Sequence, residues 1–574
     1  MADTTLPGKT IFKAFRRTEV RLFAVLCGVV GILSLLPLAR LMWEAILPQG
    51  RFSTLAAREI FNSSSTWVAL GHSLEVAVGG TLLASVLGIV VALAVSMTDL
   101  RARSLFVLCF VLPVMIAPQV MALSWLQIVG PASPLLKMLG IAPPIGTPNP
   151  LYSKWGIILL LGVHYAPLVF LAMRAGLRAL PRELIEAGLS NGAGSLTVLR
   201  TIVLPLTRPA LVAGVALVFV SCIGNFGIPA FLGIPGRYLV LPTLIYQKLA
   251  GAGPSILSEV AVLSMLIGII AIGGIALQNF ALRGKDYAVV AASIAARPVK
   301  LGRWRTLIEG ALWFYVLFVL VVPIFGLVLN ALAPAYGVII NFNTATWENF
   351  AYVLFEHDAV KRAFANSMLL SLGASVILLI LSIPLAYFLV WRKSRALRAL
   401  NLLIELPYAL PGVVLAIAAI LLFLKPIPVF QITLYNTVWI ILFAYLARFL
   451  ALAIRPTISG YLQVDRALDE AAQVAGANIL MRLRTILFPL VAPTAVTGAL
   501  LVFLTAFNEL TVSALLWSSG AETLGVLVFS FEQAGSTNIA SAVAVLTIIV
   551  TVLLMLSTLL FASRLPEGVI PWRD

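Results

Sequence analysis

Apolar positions in this chain come in blocks, each long enough to cross a bilayer and each ended by a few polar or basic residues. A hydrocarbon core about 30 Å thick needs roughly 20 helical residues, and that length selects twelve blocks. Six lie in the first half, at 20–39, 70–97, 105–129, 155–173, 209–232 and 258–280. Six more lie in the second, at 308–332, 364–391, 400–424, 433–452, 494–517 and 539–561. The predicted fold class is an all-α polytopic membrane protein of twelve transmembrane helices.

Composition agrees with that pattern. Hydrophobic residues make up 61% of 574 and charged residues 11%, with mean hydropathy +1.05, outside the range of a soluble globular domain. The net charge of +16 does not indicate nucleic acid, because the basic residues sit in short loops rather than on one face. Cys27, Cys109 and Cys222 all fall inside apolar blocks with neither metal-type nor redox-type spacing, and read as buried thiols. Lys9, Lys13, Arg16 and Arg17 lie before the first block and Arg21 at its start, without a convincing cleavage site, so that block is expected to stay as an uncleaved span.

The basic residues report topology. With the amino terminus in the cytoplasm, cytoplasmic segments hold 28 of the 39 basic residues and external loops 9, leaving Arg40 and Arg448 at or within spans. The opposite orientation inverts the bias. Both termini are therefore expected in the cytoplasm.

The chain also repeats itself. Glu186-Ala187-Gly188, Gly192, Ile202, Leu204 and Pro205 recur 284 residues later as Glu470-Ala471-Ala472, Gly476, Ile486, Phe488 and Pro489. Leu112-Pro113 with Pro118 answers Leu406-Pro407 with Pro411, and Leu217-Val218-Phe219 answers Leu501-Val502-Phe503. Two six-span halves, 1–282 and 306–574, are joined by a basic linker at 283–305. Both halves begin and end on the same side, so they are parallel repeats.

Each copy of the doubled motif reads as a short cytoplasmic amphipathic helix between the fourth and fifth spans of its half. Its glutamate favours the helix start, its glycine leaves a notch where another backbone could approach, and its proline stops or turns the chain on re-entry. A helix merely lying on lipid is the plain alternative, but identical spacing in two copies favours docking. Inside the membrane, Asn225, Asn508 and Glu509 are candidate pathway residues, with a packing role, or for Glu509 a pairing with Arg448, as the alternative. Pro113, Pro118, Pro407 and Pro411 are candidate gate kinks. His72, Glu75 and Glu405 lie near span ends, and His164 alone reads as a packed histidine; no metal site is expected.

The pattern E-A-A-x3-G followed by I-x-L-P resembles the cytoplasmic signature of permease subunits in binding-protein-dependent ABC importers, over essentially the whole chain. Gly188, Phe488, and Leu199 with Leu483 depart modestly from it. The resemblance implies a type I importer permease fold of two six-helix repeats. It also implies that Glu186, Ala187, Gly192, Ile202 and Pro205 dock one ATP-binding cassette subunit, and Glu470, Ala471, Gly476, Ile486 and Pro489 the other. Fusion of the halves, with Asn225-Phe226-Gly227-Ile228-Pro229 and Asn508-Glu509-Leu510, is similar to the iron(III), thiamine and aminoalkylphosphonate branch. On that likeness the cargo is iron(III) or one of the other two, handed over by an extracytoplasmic binding protein at loops 131–154 and 334–362.

No catalytic site is expected. Gly8-Lys9-Thr10 lacks the upstream glycine and the strand of a P-loop, so ATP and Mg are expected on partner subunits and no cofactor on this chain. The expected setting is the bacterial inner membrane, with lipid and those subunits as partners and no nucleic acid. The main alternative is a gradient-driven carrier of two parallel six-span halves. Its usual G-x3-D-R-x-G-R-R loop is missing, since 98–104 reads TDLRARS. A membrane scaffold without cargo is the third reading.

Overall fold

A computed structural model describes residues 7–48, 51–144, 146–251, 256–282, 300–392, 394–426 and 431–561. Most of the predicted linker, 283–299, lies outside the described residues. Every regular element described is helical. Among the described residues ten helices are long and apolar enough to cross a membrane, and two bent pairs, each counted as one span, bring the number to twelve.

The spans of the first half are Thr18–Ile46, Ser64–Met97, the bent pair Arg103–Met115 with Pro118–Leu126, Lys154–Arg178, Ser195–Leu232 and Ile256–Leu282. Those of the second half are Gly302–Leu332, Asp358–Trp391, the bent pair Arg395–Ala409 with Gly412–Phe423, Val438–Gln463, Ile479–Phe507 and Thr537–Phe561. They are called spans 1 to 12. Spans 2 and 8 correspond at both ends with an offset of 294, whereas spans 4 and 10 both start 284 apart. The offset therefore shortens by ten across the connection between spans 3 and 4, where the first half carries the extra helix Pro134–Met138.

Prolines shape the re-entering helices differently from expectation. Pro205 and Pro489 do not stop the chain: each follows a π-helical turn, Leu199–Val203 or Leu483–Leu487, and the helix continues. Proline has no N–H and its ring collides with the carbonyl four residues back, and one wider turn relieves both problems. Leu204 and Phe488, just before the prolines, donate five residues back to Leu199 and Leu483. The same device precedes Pro37 in span 1 and Pro323 in span 7.

Spans 3 and 9 bend by 98° and 106°. Pro113 and Pro407 lie inside the first helix of each pair, and the break follows them. Pro118 opens the second helix of span 3, whereas Pro411 is the residue just before the second helix of span 9, so these two are neighbours under the 294 offset rather than equivalents. All of Gln119 to Leu126 is buried, as is nearly all of Gly412–Phe423. Broken backbone at membrane depth is tolerated where protein surrounds it.

Spans 2, 4 and 5 pack on one another, and spans 8, 10 and 11 repeat that arrangement. The first span of each half crosses over: span 1 lies against span 6 and against Gly412–Phe423, and span 7 against span 12 and against Pro118–Leu126. The two bent spans thus sit where the halves meet.

Candidate functional site

The doubled motif folds the same way twice. Helix Arg182–Ser190 is followed by Gly192, helix Ser195–Val198 and the π turn, and helix Ala467–Val474 by Gly476, helix Ile479–Arg482 and its π turn. Gly192 has φ +81° and Gly476 φ +85°, a left-handed conformation that only glycine adopts without strain. The two turns close alike: Gly192 and Ala193 donate to Leu189 and Gly188 at 3.0 and 3.2 Å, and Gly476 and Ala477 to Gln473 and Ala472 at 3.0 and 2.9 Å. The backbone, more than a missing side chain, therefore requires the glycines, although no atom lies within 4 Å of either Cβ position.

Both elements present apolar side chains outward. Leu184, Leu189 and Leu196 are exposed on the first, and Leu468, Val474, Leu480 and Met481 on the second. Glu186, Ala187, Glu470 and Ala471 are exposed among them, with Glu470 held by Arg466 at 3.0 Å. Pro205 and Pro489 are exposed as well. Ile202 also has an inward contact: its Cδ1 lies 2.8 Å from where a Cβ on Gly188 would stand. Ile486 is half-buried at the matching position. The glycine that departs from the motif at 188 is what lets the helix close on Ile202.

Inside the membrane, the long helix of span 5 ends at Gly224, just before Asn225, and that of span 11 at Phe507, just before Asn508 and Glu509. Asn225 Oδ1 accepts from the Ile228 N–H at 2.9 Å, and the Glu509 carboxylate accepts from Val512 at 2.9 Å and Ser513 at 3.2 Å. A side chain that takes these N–H groups caps a new turn and terminates the helix before it. Asn225 Nδ2 also donates to the Tyr165 hydroxyl at 2.8 Å. Glu509 is paired with Arg448, Nη1 to Oε1 at 2.8 Å. A Cβ on Gly412 would overlap the Arg448 guanidinium, so it is the missing side chain at Gly412, at the break of span 9, that leaves the guanidinium room.

Asn508 reaches the other half. Its Nδ2 donates to the Met115 carbonyl at 3.2 Å, to the Leu504 carbonyl at 3.0 Å and to the Thr551 hydroxyl at 3.3 Å. Met115 ends the first helix of span 3, so its carbonyl has lost a helical partner. Gln119, just past that break, donates to the Asn508 carbonyl at 3.4 Å. On the other side, a Cβ on Gly224 would lie 3.0 Å from Pro411, at the break of span 9. The ends of spans 5 and 11 thus rest on the breaks of spans 9 and 3. Pro118, Pro411, Asn225, Asn508 and Glu509 come together here, whereas Pro113 and Pro407 sit one helical turn away.

Arg448, Tyr165, Gln119 and Gly412 belong to this region and were not among the candidate site residues. Arg448, a basic residue within a span, is the partner the sequence offers for Glu509 as the alternative to a pathway role, and the structure makes that pair. The span-end groups serve locally: Glu405 pairs with Arg455, Tyr238 donates to Glu75 at 2.6 Å, and His72 stacks on Tyr238. His164 is buried, and no group of three His, Cys, Asp or Glu among the described residues is placed to hold a metal.

The model of the binding-protein-dependent transport system inner membrane component family matches twice, at 84–284 and 378–569. A probable ABC transporter permease of Sinorhizobium fredii, y4fN, is 26% identical over 558 residues, covering 95% of this chain and 96% of its own length. The ferric transport system permease FbpB of Actinobacillus pleuropneumoniae is 25% identical over 507 residues, 86% of this chain and 71% of its own. A putative 2-aminoethylphosphonate transport system permease, PhnV of Salmonella typhimurium, is 24% identical over 266 residues, 46% of this chain but 97% of its own. A whole relative fits within half of this chain, as a fused duplication requires. With the family model covering both halves and both doubled motifs, the chain belongs to the binding-protein-dependent transport system inner membrane components, the permeases of ABC importers.

Proposed function

We propose that this chain forms both halves of the membrane pathway of an ATP-driven importer of iron(III), fed by an extracytoplasmic binding protein. The observation that carries the reading is the pair of equivalent elements around Gly192 and Gly476, each turning on a left-handed glycine and each exposing apolar side chains. Such surfaces are out of place on a lone protein and suit two copies of one partner. In this reading two ATP-binding cassette subunits cover them. Glu186, Ala187 and Pro205 touch one subunit, Glu470, Ala471 and Pro489 the other, and ATP with Mg binds on those subunits.

The excess of basic residues on the motif side puts both elements and both termini in the cytoplasm. The binding protein then meets loops 131–154 and 334–362, where Lys137 donates to the Gly337 carbonyl and so ties one half's loop to the other's. Alternating access follows if docking with nucleotide has different free energy in the inward and outward states. The bends of spans 3 and 9, with Asn225, Asn508 and Glu509 against them, are the gate region.

Iron(III) as cargo is favoured by the fused architecture shared with ferric permeases, three of which are named among the relatives. A 2-aminoethylphosphonate importer is the second reading, favoured by the PhnV relatives; thiamine is the third cargo of that branch. The test is uptake into proteoliposomes containing this chain and its ATPase, with the binding protein loaded with iron(III) or with the phosphonate. ATP-dependent uptake of iron alone supports the proposal. Uptake of the phosphonate alone replaces the cargo, and uptake driven by an ion gradient without ATP overturns the importer mechanism for a secondary carrier.

A further inference from the structure

The two docking elements have the same shape but are held differently. In the first, Ile185 and Val198 are buried in a small apolar cluster with Leu180 and Val203, packed on Leu93, Met97 and Leu177 of spans 2 and 4. All of these residues belong to the first half. In the second, the positions 284 residues on are Asp469 and Arg482. Arg482 Nη1 donates to both Asp469 carboxylate oxygens, at 2.7 and 2.8 Å, and the two side chains are 3% and 4% exposed. Tyr387, 294 residues after Leu93, lies beneath the guanidinium.

The charge pair does not end there. Arg482 Nη2 donates to Glu19 Oε1, and Glu19 Oε2 accepts from Arg392 Nη2 at 2.7 Å. Glu19 lies at the start of span 1, which belongs to the other half of the repeat. Two carboxylates and two guanidiniums from four segments form one balanced network, so each buried charge is compensated. Span 7, the counterpart of span 1, is held at its start by Arg305 to Asp99 at 3.6 Å and by the Arg101 N–H to Glu309 at 2.8 Å. Both of those contacts go to the connection between spans 2 and 3, not to the docking element.

We propose that Glu19 and Arg482 are positioning residues that make span 1 follow the second docking element, so the two docking sites are mechanically unequal. Movement of the second element then reaches span 1 directly. Span 1 passes it to Gly412–Phe423, the half-helix on which it lies, beside Arg448 and Glu509. Where the second element has this network, Ile185 and Val198 of the first element transmit movement through apolar contacts with Leu93, Met97 and Leu177 of their own half. The inference rests on the docking reading above.

The test uses the full chain with its ATPase in proteoliposomes, cleared of Cys27, Cys109 and Cys222. Spin labels at exposed Val20 and Thr485 report span 1 against the second element, and labels at exposed Leu307 and Thr201 report span 7 against the first. On nucleotide binding the Val20 to Thr485 distance should hold while the Leu307 to Thr201 distance changes. Glu19→Gln, which leaves the Asp469–Arg482 pair intact, should release the first distance and lower the cargo moved per ATP hydrolysed several-fold. Asp469→Ile with Arg482→Val installs the residues of the first element and should do the same while the ATPase still copurifies.

Wild-type transport per ATP in either variant, with the label distance unchanged, overturns the proposal. So does loss of the assembled complex in both variants, since the network would then only hold the fold. Failure of the unmodified chain to bind the ATPase at all defeats instead the docking assignment.

Discussion

Arg448 and Glu509 form a charge pair across the interior of the second half, and the first half has His164 and Asn225 at the same two positions. The repeat keeps the break in the helix and the cap on its new turn but changes the side chains from an imidazole and an amide to a guanidinium and a carboxylate. Asn225 meets its need with a neutral partner, the Tyr165 hydroxyl. Glu509 needs a cation, and Gly412 gives that cation room.

Replacing one member of a buried pair strands the other. Arg448→Met should destabilise the purified chain by about 3 to 5 kcal/mol, read as a fall in the midpoint of thermal unfolding in detergent. Adding Glu509→Gln should recover most of the loss, because the amide still accepts from Val512 and Ser513 without a charge to balance. Equal stability of the single and double variants would show that the pair is not what the fold depends on.

Asn508 joins the halves through the Met115 carbonyl. Asn508→Ala should cost about 1 to 3 kcal/mol for buried groups left unpaired and should reduce uptake by loosening the break of span 3. Thr551→Val removes only the hydroxyl partner at 3.3 Å and should have a smaller effect on both measurements.

At Gly192 and Gly476 the left-handed turn separates two explanations of the motif. Asparagine tolerates that conformation, and open space surrounds both Cβ positions, so Gly→Asn at both should keep insertion and much of the uptake. Valine in the same conformation costs about 1 to 2 kcal/mol per site and should abolish copurification of the ATPase. Equal loss in both variants would mean the surface at the glycine, rather than the turn, is what the partner reads.

Asp99 joins the connection between spans 2 and 3 to the start of span 7. The Leu301 N–H donates to its carboxylate at 3.0 Å and, with Arg305 as a smaller influence, holds its pKa below the usual aspartate range. Stability from this group is fully present above the unfolded value of about 3.9 and is lost as pH falls through the lower folded value. Asp99→Asn should therefore flatten the decline of thermal stability on acidification below about pH 5. A decline as steep as in the unmodified chain would assign it to other carboxylates.

The twelve crossings, the duplication and the family were legible without coordinates, because each rests on a local requirement. Lipid demands roughly 20 apolar helical residues per crossing, and a fused repeat preserves spacings such as that between Glu186 and Pro205. The prolines marked spans 3 and 9 as distorted, yet bends near 100° depend on buried neighbours able to pair the freed carbonyls, and Asn508 comes from 393 residues after Met115 to do so. Proline alone was also misleading at 205 and 489, where a wider turn costs less than ending the helix. A one-letter string carries no φ angle, so the left-handed turns at Gly192 and Gly476 were not legible in it. Only the tertiary structure decided that Arg448 meets Glu509, that Ile202 turns inward on Gly188, and that Arg482 reaches Glu19 across 463 residues. Pairing of charges is a matter of distance in space, and in a membrane, where an unpaired charge is costly, that distance determines which polar residues the fold can keep.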